Sequence, residues 1–228
     1  MMQDAKRYIE RKMKKIDYIH TKLPEGYDDV ETRYRKVRDE ISVLQGVTKG
    51  LSNYEFGGTI LKNLSSWSTT LGKSTNIKSL RRDDIYTDTA FVGMELANSV
   101  SDKHLKQVCS DFSASYEGIA ADKRKMNEKM SDIVEELAVL KKKCRHIDHQ
   151  RTTVKNTRYD LEELVQSNVY KEEEKEALEK KFTKNAKEVV VDMTEFMHLS
   201  MINGIIMKIA QAHREFCEKA ADHLAKFN

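Results

Sequence analysis

Residues Tyr116–Leu161 read YEGIAADKRKMNEKMSDIVEELAVLKKKCRHIDHQRTTVKNTRYDL. Every seventh residue falls on one of two seams. One runs Tyr116, Lys123, Met130, Leu137, Cys144, Arg151, Arg158, and the other Ile119, Met126, Ile133, Leu140, Ile147, Val154, Leu161. The second seam is wholly apolar. A repeat of 3.5 residues per turn makes one stripe that must bury against partner helices. The pattern continues backwards through Phe112, Val108 and Leu105 to Met94, Phe91 and Ala90. Read from about 88 to 165, it predicts one helix of roughly 75 residues, about 115 Å long. A seam of that length needs comparably long helices to cover it.

Outside this stretch the same period recurs. Val30, Tyr34, Val37, Ile41, Leu44, Val47 and Leu51 mark a first helix, and Ile60, Leu61, Leu64, Trp67 and Leu71 prolong its apolar face, giving a helix over about 27–71. Pro24 and Gly26 separate it from what precedes, and the polar stretch 72–84 is the best loop candidate. A break around Gln166–Tyr170 leads into a last helix over about 170–226. Its second half is apolar nearly all round, which two neighbours of one chain could hardly cover. Val190, Met193, Met197, Met201, Ile202, Ile205, Ile206 and Ile209 are therefore assigned to a dimer interface. The expectation is a single all-α domain over 1–228, with three long antiparallel kinked helices in an elongated coiled-coil bundle. Two copies would make six helices.

Composition agrees. Charged residues make up 34% of the chain and there is one proline, which suits helices and argues against a sheet. The net charge of +3 is too small for a polycation, so local charge matters more. Cys109, Cys144 and Cys217 lie inside apolar patterns and are odd in number, which favours reduced thiols over a disulfide framework. No uncharged apolar run of 18 residues is present to span a membrane.

Two basic segments stand out. Lys141, Lys142, Lys143, Arg145, Arg151, Lys155 and Arg158 face one acid, Asp148, on the far end of the long helix. Arg151 and Arg158 fall on the seam itself. Buried unpaired charge is costly, so the bundle is expected to thin there and let these side chains reach solvent or lipid headgroups. At the N-terminus, Lys6, Arg7, Arg11, Lys12 and Lys15 flank Ile9, Met13 and Ile16. Residues 1–22 read equally as a membrane-interface helix or as the first turns of a bundle helix. No aromatics interleave the basic residues as nucleic-acid stacking requires, so no nucleic-acid partner is expected. Cys144, His146 and His149 do not converge on a helix as a structural metal site requires. No phosphate loop or nucleophile elbow is present. Neither a cofactor nor an enzymatic activity is expected.

Several features together resemble the BAR-domain family of endophilin and amphiphysin, most closely the BAR-only proteins of fungal Golgi vesicles. They are Leu23-Pro24-x-x-Tyr27-x-x-Val30-Glu31, then Leu44-x-x-Val47-Thr48 and Tyr54, Phe112 with Tyr116, the basic 141–158 end, and the apolar last helix. An obvious insert in the first helix is lacking. The resemblance implies a crescent-shaped homodimer that binds anionic phospholipid membranes and senses or induces curvature in vesicle trafficking or endocytosis. Its location would be cytoplasmic and peripheral to membranes. The alternative is a dimeric helical scaffold that binds proteins only.

Overall fold

The computed structural model describes residues 17–56, 84–198 and 200–227. It is all-α: α1 (Tyr27–Asn53), a 3-10 turn (Tyr54–Phe56), α2 (Ile85–Ser99), α3 (Lys103–Ser167), α4 (Glu172–Met197), α5 (Ser200–Leu224) and a closing 3-10 turn (Ala225–Phe227). The N-terminal basic segment with Lys6, Arg7, Ile9, Arg11, Lys12, Met13, Lys15 and Ile16 lies outside the described residues. So do Ile60, Leu61, Leu64, Trp67 and Leu71.

The single helix expected over 88–165 is two. The chain leaves α2 at Val100, which is extended at φ −96° and ψ 141°. Asp102 then accepts the Leu105 N–H at 2.7 Å and starts α3. A side-chain oxygen that satisfies an orphan amide makes a helix start cheap there, and heptad counting does not register it. The last helix also divides, with α4 ending at Met197 and α5 beginning at Ser200. The break expected near Gln166–Tyr170 is present. Asn168 takes a left-handed φ of 51° between α3 and α4.

The chain forms two compact units. The first holds residues 1–42 and 139–200. Three seven-residue stripes meet in its core: Tyr27, Tyr34 and Ile41 of α1; Leu140, Ile147, Val154 and Leu161 of α3; Phe182, Ala186, Val189, Met193 and Phe196 of α4. The Tyr34 hydroxyl donates to the Cys144 carbonyl at 2.9 Å, and its ring meets Phe196 edge-on at 5.7 Å. Residues 17–23 lie along the end of α3, held by Glu162. That buried carboxylate accepts the backbone N–H groups of Ile19, His20 and Thr21 and the Thr21 hydroxyl.

The second unit holds residues 43–138 and 201–228. Ile119, Met126, Met130, Ile133 and Leu137 of α3 pack with Ile205, Ala212 and Phe216 of α5. The end of α1 and the start of α2 reach the same point of α3. Glu55 pairs with Lys123 at 2.8 Å and Asp84 lies 3.9 Å from Arg124. From there α2 runs back along α3 on a stripe of small residues, Ala90, Gly93 and Ala97. Ser113 donates to the Ala90 carbonyl at 2.7 Å. A Cβ at Gly93 would lie 2.9 Å from the Phe112 ring and 3.1 Å from the Ser113 nitrogen, so only glycine permits this approach.

Candidate functional site

The basic end of α3 does not stand free as expected. Arg151 is only 6% exposed, and its guanidinium pairs with Glu31 and with Asp148. Lys155 reaches the same Glu31 oxygen at 3.0 Å. Arg158 donates to the Thr21 carbonyl at 3.1 Å and stacks 4.2 Å from the Tyr18 ring centre. These three residues, expected to reach solvent or lipid headgroups, fasten α1 and residues 17–23 to α3, and of them Arg151 is buried while Lys155 stays half exposed. Burial raises the Glu31 pKa, but hydrogen bonds from Arg151 and Lys155 outweigh it and hold the carboxyl below its ordinary range. The Arg151 pKa is lowered by burial and raised by its two carboxylates, with a net rise. Sequence reasoning placed Arg151 on the seam but missed Glu31, 120 residues away, as its partner.

Lys142, Lys143, Arg145 and His146 are exposed, and Lys141 is half-buried. Lys142, Lys143 and His146 form one wall of a groove between α3 and α4. Asp192 and Glu195 form the other, over a floor of Val139, Ile147 and Phe196, and the space amounts to about 600 Å³. Gln150 donates to Asp192 at 2.7 Å and fixes that wall. The groove is therefore bipolar, cationic on one side and anionic on the other.

The residues assigned to a dimer interface divide. Met193 and Ile205 are buried inside their own units, which corrects their assignment. Both helices rotate these positions inward because the α4 and α5 stripes at 189–193–196 and 205–212–216 are the ones covered in-chain. Val190, Met197, Ile202 and Ile209 are half-buried, and Met201 and Ile206 are exposed. The second unit exposes a larger apolar set that the interface assignment omitted: Phe91, Val92, Met94 and Leu96 on α2, Leu105 and Val108 at the start of α3, and Met207 on α5. The signal was present in the α2 sequence, where four of the six residues Phe91–Leu96 are large and apolar.

Among the described residues no group of three His, Cys, Asp or Glu side chains is placed to hold a metal. Cys144 is buried, and burial raises its thiol pKa.

No family model matches the chain. It is 64% identical over 228 residues to spore wall protein 12 of Enterocytozoon bieneusi, covering all of both chains. It is 29% identical over 227 residues to spore wall protein 12 of Encephalitozoon cuniculi, covering 98% of this chain and 96% of the relative. With spore wall protein 12 of Nosema bombycis the identity is 27% over 226 residues, covering 99% of each. These findings overturn the BAR-domain resemblance and the curvature-sensing role in trafficking or endocytosis drawn from it. They also overturn the cytoplasmic, membrane-peripheral location, because the relatives are named for a spore wall. The crescent outline rested on that resemblance alone. The features behind it were short motifs such as Leu23-Pro24-x-x-Tyr27 and Leu44-x-x-Val47-Thr48, a basic helix end and an apolar last helix, none of them a signature that specifies one family. At 64% identity across its whole length, the chain belongs to the spore wall protein 12 family.

Proposed function

We propose that this chain is a structural component of a spore wall, a non-catalytic helical protein that pairs with a second copy of itself. The wall location is supported by the name of its 64% identical, full-length relative. The observation that carries the pairing is the apolar surface of the second unit. Phe91, Val92, Met94 and Leu96 on α2 and Leu105 and Val108 on α3 are each between 41% and 56% exposed. Together they present on the order of 600 Å² of apolar surface, at the low end of what one partner contributes to a standard protein interface. Soluble monomers rarely leave that much uncovered. Covering it with the same surface of a second copy gives a paired bundle. Its interior charges are consumed by ion pairs such as Lys123–Glu55 and Arg151–Glu31. That arrangement suits a load-bearing element rather than a reactive one.

Two measurements test this. Light scattering at micromolar concentration and about 0.5 M salt should give the mass of two chains, and the Leu96→Glu, Leu105→Glu double variant should give one chain with helicity retained. A folded wild-type monomer rejects the pairing. Immunogold labelling of sectioned spores should decorate the wall. Labelling confined to internal membranes, with quantitative sedimentation of the protein on anionic liposomes, rejects the wall role.

A further inference from the structure

The turn between α3 and α4 presents the most exposed large apolar side chain of the described residues, Val169, at 84%. The left-handed Asn168 turns the chain there. Around Val169 the charges are ordered. Lys171 precedes an acidic first turn of α4, Glu172, Glu173 and Glu174. Glu172 is engaged by Lys175 at 2.8 Å, which also sits 5.6 Å over the Tyr170 ring, and Glu173 and Glu174 are exposed. The same unit carries the bipolar groove, with Lys142, Lys143 and His146 opposite Asp192 and Glu195 over an apolar floor. Turn and groove complement each other in kind. An apolar knob meets an apolar floor, two carboxylates meet two lysines, and Lys171 meets the anionic wall.

A chain cannot satisfy its own groove. His146 and Ser167 are 21 residues apart on the continuous helix α3, which separates them by roughly 30 Å. We propose that the Val169 turn of one copy docks into the 142–196 groove of the next, with Glu173 and Glu174 on Lys142 and Lys143. Such a contact is heterologous: each copy added leaves one turn and one groove open, so assembly continues rather than closing. The proposal extends the structural-component reading and rests on it, supplying the link by which paired chains extend into a wall lattice. The bond is largely electrostatic and lies at the surface, so salt weakens it, whereas the apolar pairing surface of the second unit is indifferent to salt.

Sedimentation velocity of the full chain tests it at low ionic strength. The wild type should sediment as a broad polymer boundary that collapses to the paired species as salt is raised. A turn variant, Val169→Asp with Glu173→Lys and Glu174→Lys, should stay as the paired species. A groove variant, Lys142→Glu with Lys143→Glu, should do the same, both with unchanged circular dichroism. Mixing the two variants should restore polymer, because a pair of one variant carries two intact grooves and a pair of the other two intact turns, so pairs link in alternation. Wild type that shows no polymer at low salt overturns the proposal, as does either variant that polymerises like wild type or a mixture that stays unpolymerised. Failure of pairing itself would appear separately, as loss of the two-chain species at high salt.

Discussion

Arg151 shows how one residue reverses a functional reading. Its place on the seam of α3 suggested an exposed arm, yet it is buried against Glu31 and Asp148. Removing one partner of such a pair strands the other. Arg151→Met should cost about 3–5 kcal/mol in urea denaturation, whereas Arg151→Met with Glu31→Gln should recover most of it. A loss in the double variant as large as in the single one would mean that Glu31 is not the residue being stranded. Glu162 is a second such point. Burial raises its pKa, but the Thr21 hydroxyl and the backbone amides of His20 and Ile19, with Gln166, outweigh that and hold it below its ordinary 4.5. A carboxyl with a lowered folded pKa contributes stability above about pH 4.5, lost as pH falls through the folded value. Proteolysis within residues 17–23 should be slow at neutral pH and speed up under acid before helicity is lost. Glu162→Gln should give fast cleavage at neutral pH.

Elements in this chain are placed by close approaches as much as by apolar stripes. The end of α5 sits on α3 where Gly118 leaves room for the His223 ring. A Cβ there would lie 2.4–2.8 Å from three ring atoms. His223 in turn bonds Asp122 at 3.0 Å, and Ser115 donates to the His223 carbonyl at 2.8 Å. Gly118→Ala gains helix propensity but forces the ring away, and overpacking of this kind costs about 1–3 kcal/mol. Adding His223→Ala should relieve most of that loss in thermal or urea unfolding. The start of α3 offers a milder test. Asp102→Ala removes the cap on Leu105 and should lower stability by about 1 kcal/mol. Hydrogen exchange of the first α3 amides should accelerate while the rest of the helix is unaffected.

For the molecule as a whole, the proposed pairing and the proposed polymer depend on forces with opposite salt responses. The pairing surface is apolar, so the two-chain mass of the Lys142→Glu, Lys143→Glu variant, which cannot polymerise, should persist from low salt to about 0.5 M, where the Debye length falls to a few ångströms. Dissociation across that range would place charged groups at the centre of the interface instead of Phe91, Leu96 and Leu105.

The heptad stripes were legible without coordinates because period alone assigns a helix its buried face. The all-α class, the long α3 and its turn at 166–170 follow from that. The resemblance drawn beside them failed because none of its motifs is a signature that specifies one family. Partners distant in sequence were decided only by tertiary structure. Arg151 meets Glu31, Lys123 meets Glu55, and Glu162 gathers residues 19–21. No local pattern encodes a salt bridge across 120 residues, so Arg151, which looked free for a ligand, is internal. The inward rotation of Met193 and Ile205 was likewise settled by packing. An all-round apolar helix leaves its buried face undetermined until its neighbours take up positions around it.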